Sequence, residues 1–176
     1  MVDLNMIIMG DHDATLDEAG RIAIPRDLRN SLEQGKVVLT RGADPCLWLY
    51  TAEKWMERMQ EIVKNTDPDT ALGREVLRRN IGYAHSIDVD KQGRILIPPT
   101  LREFAGLSKE CTVVGQLRYI EIWDKERRAA HECSQDAYLE FSEKFAREKE
   151  LKNAGNSPHA GIAGGDNAVS RSAGQG

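Results

Sequence analysis

Two stretches of the chain alternate between apolar and polar side chains with a period of two. His12, Ala14 and Leu16 alternate with Asp11, Asp13, Thr15 and Asp17, and His85, Ile87 and Val89 repeat the pattern farther on. Such alternation predicts a strand with one face buried and the other wet. Each stretch runs into a glycine, Gly20 or Gly93, where a residue free to adopt positive φ suits a tight turn. Return strands are expected over 21–24 and 94–97. Pro25 and Pro98 stop them and suit the first turn of short helices over 26–32 and 100–105. Two more short strands follow in each half.

Elsewhere the period lengthens. Trp55, Met56, Met59, Ile62 and Val63 recur at helical spacing and predict a helix over 53–64 that packs by this stripe. A second helix is expected from Asp67 as N-cap, with Pro68 at its first position, to about Asn80. A third follows Asp124 and uses Ala130, Cys133, Ala137, Phe141 and Phe145, as a solvated cover or an oligomer contact. Residues 153–176 are rich in Gly, Ala, Ser and Asn. They cannot bury enough apolar area to offset their ordering entropy, so disorder is expected there.

A shift of 73 residues superposes the segment 16–29 on 89–102, with eight of fourteen positions identical. Chance gives about one, at roughly one match in fifteen to twenty for ordinary composition. His12 falls on His85, and Leu47-Trp48-Leu49-Tyr50 on Ile120-Glu121-Ile122-Trp123. The chain is therefore a tandem duplication of a unit of about 50 residues. One such unit has little core for its surface and leaves strand edges open. The physical solution is pairing of the two units about a pseudo-twofold axis into one small β-barrel or sandwich. The expected organisation is a first repeat with its following helix over 1–66, then a linker helix, second repeat and C-terminal helix over 67–152, then the tail.

Composition narrows the function. The 176 residues carry 24 Lys plus Arg against 28 Asp plus Glu, a net charge of −4. That excludes a uniformly basic protein that coats nucleic acid, but not a local basic patch. Between Arg74 and Arg102 there are six basic and three acidic side chains. Cys46, Cys111 and Cys133 are odd in number and far apart, which argues against a disulfide framework or a zinc site and fits a reducing compartment. His12 and His85, with no cysteine nearby, read as strand-face or core residues rather than metal ligands. The apolar residues among the first ten form neither a signal peptide nor a membrane span, so a cytoplasmic location is expected.

No Gly-rich phosphate loop, Gly-x-Ser-x-Gly elbow or Cys/His nucleophile pair is present, and neither an enzyme nor a cofactor is expected. Asp17 and Asp90 do not suit a proton-sharing dyad, because each has an arginine four residues on that favours its ionised form.

The doubled motif carries the remaining chemistry. Asp-x-x-Gly-Arg-hydrophobic-x-hydrophobic-Pro stands at 17–25 and again at 90–98. Arg21 and Arg94 stand near the tip of a two-stranded ribbon, the kind of element that can enter a major groove. There Arg binds guanine O6 and N7 bidentately, or pairs with phosphate. The same pattern is equally that of an Asp17–Arg21 and an Asp90–Arg94 bridge that merely fixes each hairpin; both roles are compatible. Arg26, Arg29, Lys91 and Arg102 flank the motifs as further candidates. Arg29 and Arg102 superpose, and their helical spacing also fits solvated or intersubunit ion pairs. Glu18 and Asp27 make the first unit the less basic one, and on charge alone the halves could engage DNA unequally.

These residues resemble the swapped-hairpin family of AbrB-like transition-state regulators, and within it the two-repeat MraZ family. The in-chain duplication, the helix containing Trp55, the arginines of 74–79 and the closing Ile120-Glu121-Ile122-Trp123-Asp124 carry the resemblance over about residues 1–150. The resemblance implies an α+β fold, a duplicated swapped-hairpin β-barrel with peripheral helices. It implies a nucleoid-associated transcriptional regulator that binds repeated elements of double-stranded DNA upstream of a division and cell-wall gene cluster. It also implies a homo-oligomeric ring, with Arg21 and Arg94 as leading DNA contacts and Asp17, Gly20, Asp90 and Gly93 as motif support. The competing reading is the same fold used as an oligomeric scaffold that does not bind DNA.

Overall fold

The computed structural model describes residues 8–29, 32 and 36–155. Two compact units are distinguished, Met1–Glu132 and Cys133–Gly176. In chain order the first contains β1 (Ile8–Thr15), β2 (Arg21–Ala23), α1 (Arg26–Arg29), β3 (Lys36–Arg41), β4 (Leu47–Thr51), α2 (Ala52–Lys64), α3 (Ala71–Ile81), β5 (His85–Asp88), β6 (Arg94–Leu96), α4 (Pro99–Ala105), β7 (Glu110–Leu117), β8 (Ile120–Asp124) and α5 (Lys125–His131). The second contains α6 (Gln135–Gly155).

The fold is α+β, and its strand pairings are antiparallel. Six strands form one sheet in the order β1-β7-β8-β4-β3-β5, and β2 and β6 form a separate two-stranded ribbon. The repeats exchange strands. β1 of the first repeat pairs along its length with β7 of the second, from Ile8 opposite Leu117 to Thr15 opposite Glu110. β5 of the second repeat pairs with β3 of the first. Neither repeat could therefore complete its sheet alone.

The ladders do not close into the expected barrel. β1 and β5 remain the two edges of an open sheet. The cause is local: β2 and β6 are three residues long and are ended by Ile24-Pro25 and Ile97-Pro98, where proline has no N–H for a ladder. β2 meets the residue just past β1 through an isolated bridge, Leu16 to Ile22.

The core draws on both repeats. Ile22, Leu28, Leu39, Leu47 and Leu49 from the first meet Ile95, Ile97, Leu101, Ile120 and Ile122 from the second, all within one buried cluster. In β1 the alternation places Ala14 half-buried and Leu16 buried, while Asp11, Asp13 and Thr15 face out. The two outward aspartates meet α5: Lys125 Nζ lies 2.9 Å from Asp13 Oδ2, and Arg128 Nη2 lies 3.9 Å from Asp11 Oδ2.

The helices depart from expectation in instructive ways. α2 begins at a cap, Thr51, whose side chain accepts from the Lys54 N–H. Its stripe is only partly used: Met59 is buried, but Met56 and Val63 are exposed. α3 begins at Ala71 rather than after Asp67. Asp67 Oδ1 instead accepts from the Asp69 N–H, making a turn, and Thr70 Oγ1 caps the helix by accepting from Gly73 N–H. The single helix expected after Asp124 is two. Asp124 caps α5 by accepting from Arg127 N–H, Glu132 is extended, and Ser134 Oγ accepts from Ala137 N–H near the start of α6. Phe141 and Phe145 on α6 are exposed. The backbone of α6 continues through residues 153–155; the rest of the expected tail, 156–176, lies outside the described residues, as do 30 and 31 of the first short helix.

Candidate functional site

Each motif folds into the same turn. Asp17 N–H donates to Arg21 C=O and Gly20 N–H to Asp17 C=O, both at 2.9 Å; the Asp90–Arg94 turn repeats these bonds at 2.9 and 2.8 Å. The last loop residue must then swing to positive φ, and Gly20 and Gly93 do so at +83° and +77°. Any side chain is strained in that region.

The aspartates hold the arginines twice. Asp17 Oδ1 accepts from the Arg21 backbone N–H and Oδ2 from its Nε, both at 2.9 Å. Asp90 does the same for Arg94 at 2.9 and 2.8 Å, and its Oδ1 also accepts from Gln92 N–H. The backbone bond from the following arginine is the first cause that holds both carboxyls below the ordinary 3.8. Desolvation is the next cause and opposes the shift, and the guanidinium adds to the lowering. Both aspartates are therefore ionised at neutral pH. Because the carboxylates take Nε, the outer edge of each guanidinium remains, and among the described residues its Nη atoms have no hydrogen-bond partner.

The ribbon brings the two arginines together. Arg21 stands opposite Leu96, and Arg94 opposite Ala23. Ile22 and Ile95 point into the core, so Arg21, Ala23, Arg94 and Leu96 share the outer face. Arg21 and Arg94 are diagonal neighbours there, a relation that sets side-chain origins about 7–8 Å apart. Their side chains are 42% and 30% exposed. The ribbon continues past its strands: Ile24 N–H donates to Gly93 C=O at 3.0 Å and Ile97 N–H to Gly20 C=O at 2.9 Å.

The other candidates separate. Lys91 is exposed within the second turn, and Arg26 is exposed at the start of α1. Lys91 and Glu18 occupy equivalent turn positions, so the two turns differ by two charges there. Arg29 and Arg102 are half-buried and reach the opposite repeat's turn. Arg29 Nη1 donates to Gln92 C=O at 3.0 Å. Sequence reasoning missed this crossing; its one available signal is that Arg29 and Arg102 fall on each other in the 73-residue repeat.

Two other groups carried no periodic signal. The guanidinium of Arg41 lies 3.6 Å from the Tyr83 ring centroid and 4.6 Å from that of Phe104. Glu121 accepts from both Trp48 Nε1 and Trp123 Nε1, tying β4 to β8. His12 is half-buried and His85 exposed, and among the described residues no three His, Cys, Asp or Glu converge as metal ligands.

The family described as "MraZ protein, putative antitoxin-like" matches this chain at residues 7–78 and again at 81–152. A curated relative, "Transcriptional regulator MraZ" of Treponema denticola, is 46% identical over 115 residues, which are 65% of this chain and 80% of the relative. Among solved structures, the solution structure of PHS018 from Pyrococcus horikoshii is 16% identical. It covers 65% of this chain and 87% of its own at a TM-score of 0.26, too low to bear on the fold.

Proposed function

The chain belongs to the MraZ family, and from that premise we propose that it is a sequence-specific DNA-binding transcriptional regulator, not an enzyme. The observation that carries this reading is the pair Arg21 and Arg94. Each is anchored by its own aspartate through Nε, and both lie on the outer face of one ribbon. A guanidinium fixed in this way loses little rotamer freedom when its outer nitrogens meet guanine or phosphate. The anchoring carboxylate and the DNA-facing edge are different sides of one side chain, so the hairpin-fixing role and the DNA-reading role are both served.

Lys91 and Arg26 extend the contact surface as phosphate partners. The repeats, 1–66 and 67–152, act as two halves of one reading head. The β2–β6 ribbon serves as the wall that completes the family's swapped-hairpin barrel; this is supported by the contact of β2 with edge strand β1 and of β6 with edge strand β5. The target is the promoter of a division and cell-wall gene cluster with repeated elements. The protein meets it as a homo-oligomeric ring, in the cytoplasm at the nucleoid. No described helix is long and apolar enough to cross a membrane.

A mobility-shift series over salt concentration with repeated promoter DNA tests the reading. The expected result is a linear fall of log affinity with log salt, the mark of phosphate neutralisation. Absence of binding, or an affinity indifferent to salt, leaves the non-DNA scaffold as the function.

A further inference from the structure

Gly20 and Gly93 are buried although they belong to surface turns. What lies against each is an arginine from the other repeat. A Cβ placed on Gly20 would meet Arg102 first, with Nη1 at 2.6 Å and Cζ at 2.7 Å. A Cβ placed on Gly93 would overlap the guanidinium of Arg29. Arg29 also donates to the Gln92 carbonyl, and Arg102 Nε is buried without a hydrogen-bond partner among the described residues. The helix of each repeat thus presses a flat guanidinium on the turn of the other.

We infer that Arg29 and Arg102 are positioning residues acting across the repeats: Arg29 sets the turn that presents Arg94, and Arg102 sets the turn that presents Arg21. The inference rests on the DNA-binding reading and replaces a direct DNA contact for these two side chains. The route is short. Asp90 holds the inner side of its turn through the N–H groups of Gln92, Gly93 and Arg94. Arg29 holds the outer side at the Gln92 carbonyl and the Gly93 face, one residue before Arg94 leaves the turn. Because the glycine has no side chain, the planar guanidinium takes the space that a Cβ would fill. A lysine ammonium has no such plane. The consequence is that each DNA-reading arginine depends on a residue of the opposite repeat, so the two halves of the reading head cannot be altered independently.

A double-mutant cycle tests it with the full-length protein and repeated promoter DNA. Arg29→Ala is expected to weaken binding about tenfold, and to weaken it equally in an Arg21→Ala background, but to add less than about twofold in an Arg94→Ala background. Arg102→Ala is expected to show the mirror pattern. The salt slope should stay that of the wild type, whereas loss of a phosphate contact lowers it by about one. Equal losses in both backgrounds, or a lowered slope, overturn the inference in favour of direct contact. Hydrogen exchange without DNA supplies an independent readout. Arg29→Ala should speed exchange over 90–94 and leave 17–21 unchanged; unchanged exchange over 90–94 overturns the clamp. Should Arg29→Ala not fold, Arg29→Lys, which keeps charge but not the planar fork, carries both measurements with the same expectations. If the wild type does not bind DNA, the functional reading fails while the exchange arm still decides the clamp.

Discussion

Arg94 lies diagonally across the β2–β6 ribbon from Arg21, on the same outer face, although 73 residues separate them in the chain. Two guanidinium groups at neighbouring positions on a strand pair ordinarily repel. Here each is paired with its own aspartate, Asp17 or Asp90, at 2.9 and 2.8 Å. The ion pairs thus allow two arginines to stand side by side, and a twofold-related pair of donors faces one direction.

Arg21→Ala and Arg94→Ala should each weaken DNA binding by about 1–3 kcal/mol, the range for a lost bidentate base contact. Neither should unfold the protein, because ion pairs this exposed contribute little to stability. Mobility shifts alongside thermal melts check both statements. Affinity equal to wild type in both variants would make these arginines purely structural.

The acid dependence of the turns has a definite sign. Both carboxyls sit below the ordinary 3.8 in the folded protein, held there first by the backbone N–H of the following arginine. Their stabilising effect is therefore complete above 3.8 and is lost as pH falls through the lower folded value. Asp17→Asn, which removes the charge at every pH, should melt below wild type at pH 7. The gap should stay constant down to about pH 4 and close only in more acid solution. A gap that closes between pH 5 and 7 would contradict this assignment of the charge.

The fold was legible where a short-range rule governs it. The period-two strands before Gly20 and Gly93 and the prolines that end β2 and β6 each follow from a residue and its immediate neighbours, and the duplication from matching the chain against itself at a 73-residue shift. The common core also followed, since half of Ile22, Leu39, Ile95 and Ile122 could not be buried by one repeat. What was not legible depends on register. Whether β2 and β6 close a barrel is decided by how many ladder bonds fit before Pro25 and Pro98. Likewise, the crossing of Arg29 to Gln92 is set by the pairing of Ile24 with Gly93, a contact between repeats that no local pattern encodes. Asp67 uses its carboxylate on the Asp69 N–H in a preceding turn, which leaves the α3 cap to Thr70, and a second cap at Ser134 divided the last helix.

Charge differs between the two turns at one equivalent position, Glu18 in the first and Lys91 in the second. Lys91→Ala should lower the salt slope of DNA binding by about one and weaken binding evenly across sequences. Glu18→Lys should raise affinity and steepen the slope by a similar amount. Titrations at four or more salt concentrations measure the slopes. An unchanged slope with Lys91→Ala would place that side chain away from phosphate.

The three thiols should separate by reactivity. Burial pushes the Cys46 thiol well above its usual range and the Cys111 thiol up to about 11, whereas Cys133 is exposed. A thiol reagent at pH 8 should modify one cysteine in the native protein and all three after unfolding. Cys133→Ser should abolish the fast phase. Rapid labelling of Cys46 or Cys111 in the native state would mean that the loop entering β4, or β7 itself, opens far more readily than its buried neighbours imply.

Assembly decides whether weak contacts become a useful affinity. The net charge of −4 repels DNA, and each chain offers only a few cations on its ribbon and turns to overcome that. One protomer on one DNA element should therefore bind weakly. Protomers held in a ring with their ribbons on one face would convert later contacts into intramolecular ones and raise apparent affinity by ~10²–10⁴ with no new contact. The expected observations are an oligomer larger than a dimer by light scattering, tight binding to tandem elements and much weaker binding to an isolated element. Spacing should matter too, because avidity vanishes when geometry forbids simultaneous engagement. Adding half a helical turn between elements, about 5 base pairs, turns the second site to the far side of the duplex. Affinity for that DNA should fall towards the single-element value and return when a full turn is inserted. A monomer that binds one element as tightly as three, at the same salt, is incompatible with this account.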